Sequence, residues 1–282
     1  MSKELHVRSR QDRHARRSGA QVELSSRDMT LLRALARFRL ARTSDLVALA
    51  FADVRRDTAG KRLRRLFDAG YLDVVPQRRT DENVYTLGPQ GKRWIEASGG
   101  RVSLRPAGGL EHHLAIVSAW VELAVAAHEN PTLQLASLRP DWEVRQVAWA
   151  NGASVVPDAL VELRVVTGGQ SACLRLALEV DLGTEPSGVL RDKLRRYRDL
   201  LDQDDGLFGW RDFGFAIVLG DAGTRRRSAI ERLLERHWPG WWVLWTDEEG
   251  LRRALESLVS AVAPPLTHSP SVRGGADVEV PK

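Results

Sequence analysis

The sequence predicts an α+β protein of two domains, and three observations carry that expectation. A chain of 282 residues with 43% hydrophobic content has room for two domains of ordinary size, each with its own core. The formal charge divides sharply, at +11 over residues 1–110 and −6 over residues 111–282. Hydrophobic patterning changes as well, from helical spacing in the first part to long apolar runs beyond residue 140. The resulting division is a basic disordered arm over 1–20, a first domain over 21–100, a linker over 101–109 containing Pro106 and Gly108-Gly109, a second domain over 110–262, and a proline-rich disordered tail over 263–282.

The arm carries six Lys/Arg against two acids and no hydrophobic periodicity. Ser25 and Ser26 can cap a helix in which Met29, Leu32, Leu35 and Ala36 recur at helical spacing, and Thr43 can cap a second through Leu46, Val47 and Leu49. From Thr58 to Ala69, the residues Ala59, Leu63, Leu66 and Phe67 form a core stripe, with Lys61, Arg64 and Arg65 opposite and Arg62 on the flank. Asp68-Ala69-Gly70 ends that helix. Tyr71–Val75 and Val84–Leu87 then read as a hairpin whose loop holds Arg78 and Arg79. Two helices, a basic helix and a hairpin describe a winged helix-turn-helix domain, whose third helix would enter the major groove of double-stranded DNA. Lys61, Arg62, Arg64, Arg65, Arg78 and Arg79 are the candidate DNA contacts, although a charged face is more often simply solvated. Tyr85-Thr-Leu-Gly-Pro-Gln-Gly91, opening a helix through Trp94, resembles the wing exit of bacterial winged-helix regulators.

In the second domain, Leu110–Glu129 reads as an amphipathic helix and Trp142–Trp149, Ser154–Val166 and Ser171–Asp181 as strands. A helix over Glu185–Asp202 and a strand over Phe213–Gly220 follow, giving the order αβββαβ. Further helices over Arg225–His237 and Glu248–Val262 flank a strand at Trp241–Trp245. Asp158 and Glu179 fall inside apolar strand runs, where a carboxylate costs several kcal/mol unless it is paired, hydrogen-bonded or bound to a cation. Side chains two apart share a strand face, so Glu179 and Asp181 should point together.

Val156-Pro157-Asp158, then Leu178-Glu179-Val180-Asp181, then Lys193, within αβββαβ, resembles the PD-(D/E)XK nuclease superfamily, which has a restriction-endonuclease-like α/β core. The resemblance implies that Asp158 and Glu179 hold Mg2+ or Mn2+ and that Lys193 assists the attacking water in DNA nicking; Asp181, on the face of Glu179, could ligate the same hard divalent ion and join these catalytic residues. The superfamily usually has lysine two positions after the second acid; Asp181 stands there, and Lys193 is the nearest downstream lysine. With the winged-helix-like N-terminus, the EVDxGT-like strand end and the Lys193-x-x-x-Tyr197 pair, the whole chain resembles the replication-relaxation family of bacterial plasmids and mobile elements. That resemblance implies a role in the replication or relaxation of plasmid or mobile-element DNA, while a lesser reading makes the C-terminal domain a docking surface for other replication or transfer proteins. Two rivals stand beside nicking: a catalytically inactive regulator that uses the nuclease-like fold as scaffold or dimerisation module, and a docking surface. The plainest alternative for the acids is burial as ion pairs with Arg175, Lys193 or Arg195.

Other features narrow the field. The only cysteine, Cys173, excludes an internal disulfide and a thiolate zinc site, and its apolar strand predicts a buried thiol. No uninterrupted apolar run reaches bilayer length and the basic N-terminus lacks an apolar stretch, so no membrane role and a cytoplasmic location are expected. His112 and His113 could supply a ligand or touch phosphate, but nothing near them has metal-ligand spacing, so one reads first as a cap-region histidine in contact with solvent or the core. Glu122 is either an extra site acid or a solvated helix residue. Trp238, Trp241, Trp242 and Trp245 do not alternate with arginine, which favours core packing or a homodimer interface over base stacking. No glycine-rich phosphate loop is present, which argues against an ATP-driven motor.

Overall fold

A computed structural model describes residues 16, 21–76, 81–103, 109–150, 153–167, 170–203, 205–220, 223–246 and 248–262. The protein is α+β, with two sheets among the described residues. The expected disorder of the arm and tail falls outside the described residues, as do Arg78, Arg79 and most of the linker.

Helix α1 (Ser26–Phe38) begins where Ser25 and Asp28 form a capping box, the Asp28 carboxylate accepting from the Ser25 backbone N–H at 2.7 Å. Strand β1 (Ala41–Arg42) leads into α2 (Thr43–Ala50), whose N-cap is Arg42; Thr43 donates its hydroxyl instead to the Asn83 carbonyl. Helix α3 (Arg56–Asp68) buries Ala59, Leu63, Leu66 and Phe67, the stripe expected from sequence. Gly70, at φ 80°, turns the chain into β2 (Leu72–Val75), a conformation glycine adopts without a Cβ clash. Strand β3 (Val84–Leu87) pairs antiparallel with both β1 and β2, giving the order β1-β3-β2. Helix α4 (Pro89–Ala97) crosses Tyr71 at Gly91, where a Cβ would lie 2.3 Å from the Tyr71 carbonyl oxygen.

Helix α5 (Leu110–Glu129) opens the second unit. Behind it lies a five-stranded sheet, β4 (Leu133–Pro140), β5 (Ala159–Thr167), β6 (Gln170–Asp181), β7 (Gly214–Leu219) and β8 (Trp242–Trp245), in sequential spatial order. The first three strands are antiparallel; β6, β7 and β8 run parallel, joined through α7 (Ser187–Leu201) and α8 (Gly223–His237). Helix α9 (Glu248–Val262) packs against α5 and β8.

Two sequence expectations fail here. Trp142–Trp149 is not a strand but lies in helix α6 (Asp141–Ala150), with Val144 and Ala148 buried one turn apart. The strand that precedes β5 is β4. Its Leu133, Leu135, Leu138 pattern hides the period of two because a register shift interrupts it between Leu135 and Ser137. Cys173 is exposed rather than buried, with its Sγ 3.2 Å from Glu162; Gln170 to Cys173 form the uncovered end of the β5–β6 hairpin, and burial begins at Leu174.

The N-terminal helices and one face of the large sheet share a continuous core that passes through α5. Phe38 stacks on Trp120 with ring centroids 4.3 Å apart, and the buried His113 donates from Nε2 to the Phe38 carbonyl at 2.6 Å. Arg37 pairs with Glu143 at 2.9 Å, and Arg42 with Glu111 at 2.9 Å. By length and composition α5 could cross a bilayer, but here its apolar residues are the centre of this shared core. The opposite sheet face packs under α7 and α8, around Tyr197, Phe213, Phe215 and Trp238. Trp245 is buried too, donating its indole N–H to the half-buried Glu122 at 3.0 Å, so two of the late tryptophans, Trp238 and Trp245, are core residues.

Candidate functional site

Strand parity builds the site. Along β6, Leu176, Leu178 and Val180 belong to the core on the α5 side, whereas Ala177 belongs to the core under α7 and α8. Glu179 and Asp181 follow Ala177 onto that second face and are 3% and 6% exposed. There the Glu179 carboxylate accepts from Tyr197 OH at 2.6 Å and from Lys193 Nζ at 3.0 Å, both from α7 one turn apart. Lys193 also lies 3.4 Å from Glu185.

Asp158 stands just before β5. Its carboxylate accepts the Val180 backbone N–H at 2.8 Å and meets His112 Nε2 at 2.9 Å, while its carbonyl accepts the first N–H of α6 from Asp141 at 2.9 Å. Backbone pairing thus brings Asp158 beside Glu179, since Ala159 lies opposite Leu178 across the β5–β6 ladder.

Electrostatics follow from this crowding. Burial, and then the charge of Asp158, push the Glu179 carboxyl up to about 7, against the pull of Lys193 and Tyr197. Burial works against the Lys193 ammonium, yet Glu179, Asp158 and Glu185 together raise it above its ordinary range. These shifts pull one ion pair in opposite senses. With three acids around it, Lys193 stays charged and Glu179 is the group that titrates. The hydrogen bond to Asp158 raises His112, whereas burial pushes Asp141 up against the opposing charge of Arg145.

Asp158, Glu179 and Lys193 therefore come together as the sequence suggests, with Lys193 supplied from a helix. Asp181 does not join them. Its carboxylate accepts the Gly183 N–H at 2.6 Å and two hydrogen bonds from Arg226 of α8 at 2.5 and 3.2 Å. Among the described residues no group of three or more acids, histidines or cysteines is arranged to hold a metal ion. Both oxygens of Asp158 and both of Glu179 are engaged by His112, Val180, Tyr197 and Lys193, and a three-carboxylate cage including Asp181 does not form. Of the ion pairs considered from sequence, Glu179 takes Lys193, whereas Arg195 pairs with Asp192 at 3.1 Å and Arg175 lies over Trp210.

On α3, Lys61 and Arg65 are exposed one turn apart, opposite the buried stripe, with Arg55 and Arg56 exposed at its start. Arg62 is committed elsewhere: it forms an ion pair with the fully buried Asp28 and donates to the Glu23 carbonyl at 2.7 Å. Arg64 pairs with Asp68 at 2.8 Å and lies over Phe67. The replication-relaxation family model matches residues 32–209, more than half of the chain, from within α1 to the turn after α7. The chain belongs to the replication-relaxation family. No curated protein and no solved structure matches it. The matched replication-relaxation region contains Asp158, Glu179 and Lys193 but not Arg226, which sequence reasoning also passed over. His112 was legible only as one of two adjacent histidines. Its placement on Asp158 depends on where α5 meets the sheet, which no local spacing encodes.

Proposed function

We propose that this protein binds double-stranded DNA in the replication or relaxation of plasmid or mobile-element DNA, through an N-terminal unit read as a winged helix. The observation that carries this reading is α3, which turns Lys61 and Arg65 to solvent, opposite its buried stripe, in the part of the chain whose charge is +11. Such a helix can enter a major groove, with the hairpin β2–β3 flanking the backbone. Arg62 then acts from beneath, holding α3 to the start of α1 through Asp28. Lys61→Glu/Arg65→Glu should weaken affinity for a random duplex at least tenfold, read by fluorescence anisotropy; unchanged affinity removes α3 from the interface.

A second reading, metal-dependent nicking in a nuclease-like C-terminal unit, starts from one observation that the ion-pair reading shares: Lys193 lies 3.0 Å from Glu179, beside Asp158. A Mg2+ or Mn2+ ion held by Asp158 and Glu179 would acidify a water and clamp the phosphate. His112 fixes the Asp158 carboxylate, Tyr197 orients Glu179, and the Lys193 ammonium can stabilise negative charge developing on phosphate. The rival is the inactive regulator, in which the same network is a buried ion pair. Supercoiled plasmid incubated with Mg2+ or Mn2+ separates them. Nicking by the wild type but not by Asp158→Ala/Glu179→Ala supports catalysis, and intact plasmid with DNA binding retained supports the regulator.

A further inference from the structure

The acidic half of the chain contains a surface of opposite sign. Residues 111–282 carry a net charge of −6, yet α7 and α8 together hold ten Lys/Arg against four Asp/Glu. The two helices pack side by side over one sheet face, joined where Arg226 reaches back to Ser187 at 3.1 Å. Their inward residues are spent on the fold: Leu190, Leu194 and Tyr197 from α7, Ile230 and Leu234 from α8. Outward, Arg195, Arg196, Arg198, Arg225, Arg232 and Arg236 are all exposed. Arg198, Arg225 and Arg236 form no ion pair among the described residues, and Arg195 is 54% exposed despite its contact with Asp192.

A solvated surface needs no such concentration of arginine in an otherwise acidic unit. Arginine presents a rigid fork of donors that matches phosphate oxygens, and a row of them on two adjacent helices suits a polyanion better than a single small anion. The position of the surface matters as much as its charge. The N-terminal unit reaches the sheet through α5 on one face, and α7 and α8 cover the other. Helix α3 and the arginine surface therefore belong to opposite sides of the large sheet.

We propose that the outer face of α7 and α8 is a second nucleic-acid contact, binding the phosphate backbone of a DNA segment distinct from the one held by α3, so that one chain joins two duplexes. This deepens the DNA-binding reading and rests on it for the first contact. The recognition is backbone-directed and independent of sequence, because the groups presented are arginines without a groove-reading helix end. The helix that supplies Lys193 and Tyr197 to Glu179 would also carry the second segment on its outer side.

The test uses the full-length protein with a short random duplex, measuring stoichiometry by sedimentation and affinity across a salt series. Four proteins are compared: wild type, Lys61→Glu/Arg65→Glu, Arg195→Glu/Arg198→Glu/Arg232→Glu, and the combination. All the substituted residues are exposed or on helix surfaces away from the core, and circular dichroism checks that each variant folds. The wild type should take up two duplexes per chain, each single-surface variant one, and the combination none. Reversing α7 and α8 should also reduce the total salt dependence by about 0.9 in log–log slope for each phosphate no longer neutralised. Wild-type stoichiometry and slope in the α7–α8 variant overturn this inference while leaving α3 standing. Unchanged behaviour in the α3 variant, with weakened binding in the α7–α8 variant, overturns the α3 reading and leaves this surface as the DNA contact.

Discussion

Arg62, predicted as a DNA contact, is held for another task by Asp28. The Asp28 carboxylate is fully buried, closes the capping box of α1 and receives Arg62 from α3. Burial opposes its ionisation, but the hydrogen bonds from Arg62 and Ser25 outweigh that and hold the carboxyl below its ordinary range. A depressed carboxylate contributes stability that is complete above the unfolded value of about 4 and is lost as pH falls through the folded one. Arg62→Ala leaves that charge without its partner, and a loss of about 3–5 kcal/mol in urea unfolding is expected. His113 gives a second pH test. Burial pushes it down to about 4, so it is neutral in the folded protein. Its contribution is whole above about 6.5 and fades as pH falls from there towards 4, reaching about 3 kcal/mol. In His113→Gln the urea midpoint should lose that part of its acid sensitivity; a wild-type slope between these pH values would contradict the assignment. Neither partner was legible from sequence, since Asp28 and Arg62, or His113 and Phe38, meet only through tertiary packing.

Elements were legible where one period dominated. The stripe of α3, the hairpin β2–β3 and strand β6 stand close to where their spacing puts them, whereas β5 starts at Ala159 rather than Ser154 and leaves Asp158 just outside the strand expected to hold it. Strand β4 was missed because its register shift breaks the alternation, and α6 was mistaken for a strand because Trp142, Val144, Val147 and Trp149 satisfy no single period cleanly. Parity along β6 correctly put Glu179 and Asp181 on one face, yet could not say which helix would meet each. That division is physical: α7 supplies Lys193 and Tyr197 to Glu179, and α8 supplies Arg226 to Asp181. Arg226 also donates to the Glu185 carbonyl at 2.7 Å and so fastens the entry to α7. Arg226→Ala should cost about 3–5 kcal/mol by stranding the buried Asp181 charge. Arg226→Ala/Asp181→Ala should recover part of that loss, and no recovery would mean that Arg226 acts mainly through Ser187 and Glu185.

At the scale of the molecule, the charge split and the glycine-rich stretch near residue 105 suggested two domains on a linker, and the structure adds a shared core that neither signal reveals. Phe38, Trp120, His113 and Trp142 tie α1 to α5, and Asp45 of α2 accepts from Ser118 of α5 at 2.9 Å. The two units should consequently unfold together. Phe38→Ala is expected to cost about 3–5 kcal/mol, with near-ultraviolet and far-ultraviolet signals lost in one transition; two separated transitions in the wild type would contradict a common core. This coupling gives the DNA-binding reading its mechanical sense, because a duplex held by α3 would be joined through the shared core to the sheet bearing Glu179. The most direct test of the central claim is duplex affinity across a salt series, comparing wild type with Lys61→Glu/Arg65→Glu. The account predicts steep salt dependence in the wild type and, in the variant, weaker binding with a slope smaller by about 0.9 for each phosphate that α3 no longer neutralises. Identical affinity and slope in the two proteins would contradict it.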